Sequence, residues 1–202
     1  MRFLKVILSI AIICAAYFGD YVVFRSKYSS SQNFRAIADC SVHATLGFLS
    51  SLIFFSHEHS FNIELCVLNV ILCTFVSLFI DIDHAFVARS IYIKDMTNLK
   101  HRGIFHCTTF WMLITIILLI YSYLEKKINL YLLSFMLILA YSSHHLRDGN
   151  RRGLWLYPFG SSPPIDKHLY VFLLTVLPHA FAYVYQTFKG GFVKSYVVYS
   201  NV

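Results

Sequence analysis

The sequence predicts an all-α protein, a multi-pass transmembrane helical bundle of about five or six helices that forms a single integral membrane domain, residues 1–202. Of the 202 residues, 57% are hydrophobic, 17% are aromatic and only 13% are charged. A water-soluble domain could not bury that much apolar surface. A helix also needs about 20 apolar residues to cross the hydrocarbon core, and six stretches of the chain meet or approach that length.

The six apolar stretches follow one another along the chain. They are residues 3–24, 40–56, 62–80, 104–123, 130–145 and 169–188. The second and fifth are short, so they need tilting or local thinning of the bilayer to span it. The first also fits a cleaved signal peptide, but its apolar run continues past Ala16, which favours a retained helix. Long connections are predicted at 81–103 and 149–167, the latter rich in proline and glycine.

Charge and cysteine usage narrow the class of protein further. The formal net charge is +7, but the basic residues occur singly between apolar runs, which indicates anchors at the membrane surface. Membrane lipid is therefore the predicted partner, and a nucleic-acid partner is not predicted. The five cysteines lie mostly inside apolar stretches without disulfide or zinc-ribbon spacing, so they are interpreted as buried apolar residues.

Ionisable residues near the ends of the apolar stretches are costly there and need a partner, a watery cavity or a function. They form four groups: Asp39 with His43, Asp81 with Asp83 and His84, His101 with Arg102 and His106, and His144 with His145 and Asp148. Antiparallel threading brings the start of the second stretch, the end of the third, the start of the fourth and the end of the fifth to one membrane face. The four groups can therefore converge, as the ligands of a metal ion must.

The chemistry of these side chains suits a divalent ion. Imidazoles and carboxylates together favour Zn²⁺, Mn²⁺ or Fe²⁺, which lower the pKa of a bound water. Arg102 and Arg152 are candidates to hold an anionic group by paired hydrogen bonds, which indicates a phosphate or carboxylate ester at the membrane surface.

A purely structural interpretation stands beside this one, because such residues also cap helices or form interhelical hydrogen bonds. For Asp39 alone, capping is favoured. His57 and His59, on the opposite face, are interpreted as solvated, and His179 as a packed polar contact next to Pro178.

The motifs H, DIDH, HRGxxH and SHxxxD, followed by a W…P segment, resemble those of the bacterial membrane-bound metal-dependent hydrolases described as LexA-regulated. Here they are His43, residues 81–84, 101–106 and 143–148, and Trp155 with Pro158. A closer resemblance, over nearly the whole length, is to animal multi-pass membrane proteins that share SHHLRDG, GLWLYPFG and the DIDH region. Bacterial members tend to have Thr and Pro after the last aspartate, whereas this chain has GNRR at 149–152, a departure that bears on substrate class.

The resemblance implies a metal-dependent hydrolase. Its candidate metal ligands are His43, Asp81, His84, His106, His144 and Asp148, and its candidate catalytic residues are Asp83, His101 and Arg102. The expected cofactor is a divalent ion, Zn, Mn or Fe. An aspartate or His101 would handle the proton, and Arg102 would stabilise the anion.

The predicted substrate is an ester or phosphoester of a lipid-like molecule at one membrane face. Two alternatives remain: a non-catalytic structural or interaction protein, and a transporter of metal ions or protons. A transporter needs polar residues through the membrane, and the stretches 65–80 and 110–120 are almost wholly apolar.

Overall fold

The computed structural model describes residues 2–57, 62–97, 99 and 101–198, with side chains to residue 192. In chain order these form α1 (Arg2–Arg25), α2 (Gln32–Phe55), α3 (Ile63–Phe79), a 3₁₀ turn (Ile80–Ile82), α4 (Asp83–Ala88), α5 (Ile93–Met96), a second 3₁₀ turn (Ile104–His106), α6 (Thr108–Leu124), α7 (Ile128–Arg152) and α8 (Lys167–Val198). The predicted all-α class is confirmed.

Each of the six predicted stretches coincides with a long helix. The second stretch was predicted to be short, and that prediction was wrong, because α2 has 24 residues and is long and apolar enough to span a membrane. The fifth stretch lies in α7, which has 25 residues but is not among the described helices that are apolar enough to span, as its short apolar run predicted. Both helices continue into polar segments whose side chains find partners inside the bundle. Among the described residues, four segments are long and apolar enough to cross a membrane: α1, α2, Ile63–Ala88 and Lys167–Phe192. Helix α6 is apolar but shorter, with 17 residues.

Helix α7 lies at the centre of the bundle, in contact with α2, α3, α6 and α8, and it has buried residues along its whole length. Helix α1 packs against α2 and α8. Large apolar side chains on the outer faces, such as Leu68, Ile71 and Leu113, are exposed, as suits helices surrounded by lipid. Cys73 and Cys107 are buried as predicted, whereas Cys14 is exposed because it lies on the outer face of α1.

The half of α7 nearer its start forms an aromatic end of the bundle. This aromatic end consists of Phe54, Tyr131, Phe135, Tyr185 and Phe192. Tyr131 has its ring centroid 5.0 Å from that of Tyr185 and 4.6 Å from that of Phe192, both stacked. Ring pairs of this kind add packing energy to the apolar area that they bury.

Close contact between α2 and α3 aligns the two helices beside α7. Gly47 faces Ser77, and a methyl group at Gly47 would collide with the Ser77 side chain. The Ser77 hydroxyl donates a hydrogen bond to the carbonyl oxygen of His43, 2.9 Å away. Small residues let membrane helices approach this closely, and the contact fixes the heights of His43 and Ser77 relative to each other.

Asp39 was predicted to cap the second helix, and that prediction was wrong. The cap is Ser31, whose side chain accepts a hydrogen bond from the backbone N–H of Phe34. Asp39 lies two turns inside α2, with Oδ1 2.7 Å from an amino group of Arg147. The helix starts earlier than the apolar run does, so Asp39 is an internal ion-pair partner.

His57 was predicted to be solvated, and the structure corrects this. Its Nε2 lies 2.8 Å from Nδ1 of His179, and its Nδ1 lies 3.0 Å from the Lys5 ammonium group. His179 also contacts the Ser9 hydroxyl at 2.9 Å, so it makes the packed polar contact expected of it. His59 lies outside the described residues.

Candidate metal centre

Four side chains from three separate segments meet at the end of the bundle opposite the aromatic end. They are Asp81, His106, His144 and Asp148, here called the His–Asp cluster. Nε2 of His106 lies 3.4 Å from Oδ1 of Asp81 and 3.4 Å from Oδ2 of Asp148. Nε2 of His144 lies 3.5 Å and 3.7 Å from the same two oxygens, and the two Nε2 atoms are 3.5 Å apart. Five of the six separations among these atoms thus fall between 3.4 and 3.7 Å.

These separations fit a tetrahedral ion. Donor atoms bound about 2.0–2.1 Å from a central Zn²⁺ lie roughly 3.3–3.4 Å from one another, close to the separations in the His–Asp cluster. Two imidazole nitrogens and two carboxylate oxygens are a donor set that also suits Mn²⁺ and Fe²⁺. The residues present therefore fit the divalent ion that the sequence predicts.

Each imidazole of the His–Asp cluster is oriented by a hydrogen-bond acceptor at its Nδ1 atom, on the side of the ring away from the cluster. Nδ1 of His144 lies 2.8 Å from the carbonyl oxygen of Ser77. Nδ1 of His106 lies 3.0 and 3.1 Å from the two carboxylate oxygens of Asp83. These partners only accept hydrogen bonds, so we assign the proton to Nδ1 in both rings, which leaves the Nε2 lone pairs directed at the cluster. Acceptors behind metal-binding histidines characteristically act in this way.

Asp83 is held in place by the HRG segment that precedes α6. One oxygen of its buried carboxylate accepts a hydrogen bond from the backbone N–H of Phe105 at 3.0 Å. Gly103 lies directly against this carboxylate, and a methyl group there would collide with it. The glycine of HRGxxH is thereby explained by the close approach of Asp83 to the backbone.

His145, the second histidine of SHHLRD, positions the second 3₁₀ turn. Its Nε2 lies 3.0 Å from the carbonyl oxygen of Phe105, and its Nδ1 lies 3.0 Å from the hydroxyl of Thr108. The Trp111 indole N–H donates to the same carbonyl at 2.7 Å. His145 therefore fixes the backbone that carries His106, while His144 and Asp148, one turn apart on α7, reach the cluster itself.

His43 and His84 flank the His–Asp cluster and contact different members of it. The His43 ring stacks on His144 with centroids 3.7 Å apart, and its Nε2 lies 3.5 Å from Oδ1 of Asp148 and 2.9 Å from an Arg147 amino group. Nδ1 of His84 lies 3.5 Å from Oδ1 of Asp81 and 3.0 Å from that residue's carbonyl oxygen. One nitrogen of each ring thus already has a polar partner, and the metal role of these two histidines stays a prediction.

The two flanking histidines still complete two compact triads. These are His43 with His144 and Asp148, and Asp81 with His84 and His106, each with its donor atoms within 4.8 Å of one another. The contacts of His106 with His144 and Asp148 join the two triads into one polar group.

The three predicted catalytic residues occupy different environments. Asp83 is buried behind His106. His101 is exposed and does not line the cavity described below, and its proton-transfer role stays a prediction. Arg102 donates to the carbonyl oxygens of Gly153 and Arg152 at 2.9 and 2.8 Å, which fastens the HRG segment to the end of α7.

A cavity of about 260 Å³ opens over the His–Asp cluster. Its lining includes Asp81, His84, His106 and Asp148, but not the fully buried His144. Four arginines also line it, here called the arginine rim: Arg35, Arg102, Arg151 and Arg152. Water and an anionic ligand can therefore approach the cluster through a cavity that carries four cationic side chains.

The carboxylates around His106 create a strongly negative local field. Burial opposes charging this imidazole, but its hydrogen bonds to Asp148, Asp81 and Asp83 raise the pKa of His106 well above its usual value. The same carboxylates stabilise any positive charge at Nε2 of His106, whether a proton or a metal ion that takes its place.

Sequence reasoning missed a buried ion-pair network beside the cluster. Arg147 is 2% exposed and contacts Asp39 at 2.7 Å, while its Nε lies 3.5 Å from Oδ1 of Asp20 on α1. The Tyr170 hydroxyl donates to the other Asp20 oxygen at 2.8 Å. The available signal was Asp20 inside the first apolar stretch, since a charge there implies an opposite charge nearby.

The fold and the site define a multi-pass integral membrane protein with a polar His–Asp centre at one end of its bundle. The chain belongs to the YdjM inner membrane protein family, whose model matches residues 39–200. This match confirms the resemblance inferred from the motifs.

Similar proteins from animals also support a multi-pass membrane protein. The chain is 37% identical over 147 residues to transmembrane protein 267 of Danio rerio, 36% over 149 residues to that of Xenopus laevis, and 33% over 153 residues to that of Bos taurus. These alignments cover 72%, 71% and 74% of this chain, and 64%, 66% and 68% of the relatives. The chain thus spans less than two thirds of the first two relatives. No solved structure matches it.

Proposed function

We propose that the protein is a metal-dependent hydrolase that acts on a lipid-like ester or phosphoester at one membrane face. The observation that carries the proposal is the spacing of the His–Asp cluster, 3.4–3.7 Å between donor atoms, on the floor of a cavity with a cationic rim. Carboxylates and imidazoles that only fixed helix packing would have no reason to converge on one point beside an open cavity.

In this proposal Asp81, His106, His144 and Asp148 hold Zn²⁺, Mn²⁺ or Fe²⁺. When bound, the ion supplies Lewis-acid activation of water and of the ester oxygen. Asp83 is a positioning residue, because it acts on the cluster through His106. The carbonyl oxygen of Ser77 does the same for His144.

We assign proton transfer to His84, which lines the cavity. Its Nδ1–H donates to the carbonyl oxygen of Asp81, so its Nε2 is the nitrogen available to accept a proton from water. Arg102 and Arg152 line the same cavity and would orient the anionic group of the substrate.

Metal content tests the centre. Elemental mass spectrometry of detergent-purified native protein, prepared without chelator, should find about one ion per chain, as a structural or catalytic site retains. A double variant, His106→Ala with Asp148→Ala, should contain none. The matched control, His168→Ala with Asp95→Ala, removes the same residue types outside the cluster and should keep the metal.

Hydrolysis is tested on the same preparations with short-chain carboxylic and phosphoric esters of glycerol. Turnover that disappears on chelation, returns with added ion and is absent from the double variant supports the enzyme. Folded native protein without metal would overturn the proposal, and metal without turnover of any ester would favour a non-catalytic role.

A further inference from the structure

The arginine rim carries positive charge that the carboxylates in the cavity do not match. Arg151 lies 3.4 Å from Asp148 and 3.7 Å from Asp39. Arg102 bonds only to backbone carbonyls. Within the part of the chain that the structure describes, the guanidinium groups of Arg35 and Arg152 have no hydrogen bond or ion pair. Two or three cationic groups therefore remain for a ligand.

The size of the cavity limits what that ligand can be. Its 260 Å³ lies below the roughly 300–1,000 Å³ of sites that enclose drug-sized molecules. A phosphate with a short linker fits, but an acyl chain does not. Apolar residues also line part of the wall, namely Val23, Phe24, Ile93, Met96 and Leu99, so the non-ionic part of the ligand can contact apolar surface there.

The segment beside the cavity exposes large apolar side chains. Phe86, Ile91 and Tyr92, between the start of α4 and the start of α5, are 69%, 84% and 73% exposed. The next residue, Ile93, lines the cavity. Such a cluster of exposed large apolar side chains, with a tyrosine among them, is typical of the membrane interface. A ligand that reaches the cavity past this segment can leave its hydrocarbon chain in the bilayer.

We propose that the cavity receives the phosphate of a lipid phosphomonoester, with Arg35 and Arg152 as phosphate-binding residues. The assignment rests on the proposed hydrolase function and names its substrate class. Guanidinium groups pair with phosphate oxygens through two parallel hydrogen bonds, and a phosphomonoester carries about −1.5 to −2 charges at pH 7. The same rim repels the ammonium group of zwitterionic lipids.

The reaction of such a substrate is simple to balance. The oxygen of water forms a bond to phosphorus, and the bond between phosphorus and the lipid oxygen breaks. The lipid leaves as an alcohol after taking one proton, and inorganic phosphate is released.

The test measures binding without turnover. A non-hydrolysable phosphonate analogue of dioctanoyl phosphatidic acid is titrated into the detergent-purified full chain by calorimetry. Arg35→Gln and Arg152→Gln should each weaken binding about fivefold, and together by well over tenfold, since each removes a charge-assisted hydrogen bond. Arg25→Gln is the control, because Arg25 is exposed on the same face but does not line the cavity. It should change affinity less than about twofold.

Unchanged affinity in the double arginine variant would overturn the assignment, as would equally tight binding of dioctanoyl phosphatidylcholine. Inorganic phosphate that competes as well as the phosphonate would overturn a lipid as the source of the phosphate. Phosphonate binding without hydrolysis of phosphatidic acid by metal-loaded protein would support the binding assignment and count against the enzyme. Hydrolysis of a neutral ester without phosphonate binding would do the reverse.

Discussion

The two halves of α7 are equally buried and chemically opposite. Phe135, in the aromatic end, is 3% exposed, while His144 and Arg147 in the other half are 0% and 2% exposed. The aromatic half is stabilised by ring packing, which needs no partner charges. In the polar half, each buried donor needs a hydrogen-bond acceptor and each buried charge needs an opposite charge. Burying these groups costs desolvation free energy, which an apolar spanning helix avoids. The comparison teaches that the aromatic half contributes stability, whereas the cost of the polar half is explained by the proposed metal centre that it carries.

The largest effect is expected when an aromatic ring is removed from the aromatic end, which tests whether that half stabilises the protein independently of the His–Asp cluster. Phe135→Ala should destabilise the protein by about 3–4 kcal/mol, because it leaves a cavity against Phe54, Tyr131 and Tyr185. Unfolding in a denaturing-detergent titration measures this. The metal content of the folded fraction should stay that of the native protein, and its loss would show that the two halves are coupled.

At the other end of α7, removal of the buried Arg147 charge should lower the free energy of unfolding nearly as much. Arg147→Met leaves Asp39 and Asp20 without their buried partner, and we expect about 3 kcal/mol of destabilisation. Arg151→Met is the control, because Arg151 is partly exposed and its ion pairs should contribute less than about 1 kcal/mol. Equal effects of the two substitutions in the same titration would contradict the buried network.

A substitution at Asp83 should lower metal affinity without lowering the stability of the fold, because Asp83 orients a proposed metal ligand and does not pack in the core. Asp83→Asn keeps the size of the side chain but removes the charge behind His106, and metal affinity should fall about 10–100-fold. Competition with a chromogenic chelator measures that affinity, while the unfolding midpoint should barely move. Gly103→Ala should act in the same direction by displacing Asp83. Native metal affinity in both variants would remove Asp83 from the site.

The smallest expected effect lies outside both halves, at the start of α8. The backbone N–H groups of Leu169 and His168 donate to Asp166, which lowers the pKa of this carboxyl group. Its folded pKa is therefore below the unfolded value of about 3.9, so the stabilisation is present above that pH and is lost as pH falls through the folded pKa. Asp166→Asn still caps the helix but does not titrate. The difference in melting temperature between native and variant should shrink between pH 6 and pH 3, and a constant difference would contradict the cap.

Much of the site was predictable because membrane helices thread back and forth. Once six apolar stretches are recognised, DIDH, HRGxxH and SHxxxD must lie at one end, and the structure brings Asp81, His106 and Asp148 together there. Helix lengths were less predictable, because a hydropathy pattern stops where buried polar side chains begin. Asp39 and Arg147 therefore fell outside the predicted stretches although they lie inside helices.

By itself the sequence determined the all-α membrane class, a bundle of about five or six long helices, and the convergence of the polar motifs at one face, since apolar length and alternating direction decide all three. Only the tertiary structure decided which motif residues point at the same spot. Asp83 and Asp81 are two positions apart, yet the 3₁₀ turn directs one carboxylate behind His106 and the other into the cluster. Roles that depend on a few tenths of an ångström between distant segments are set by packing, which no local pattern encodes.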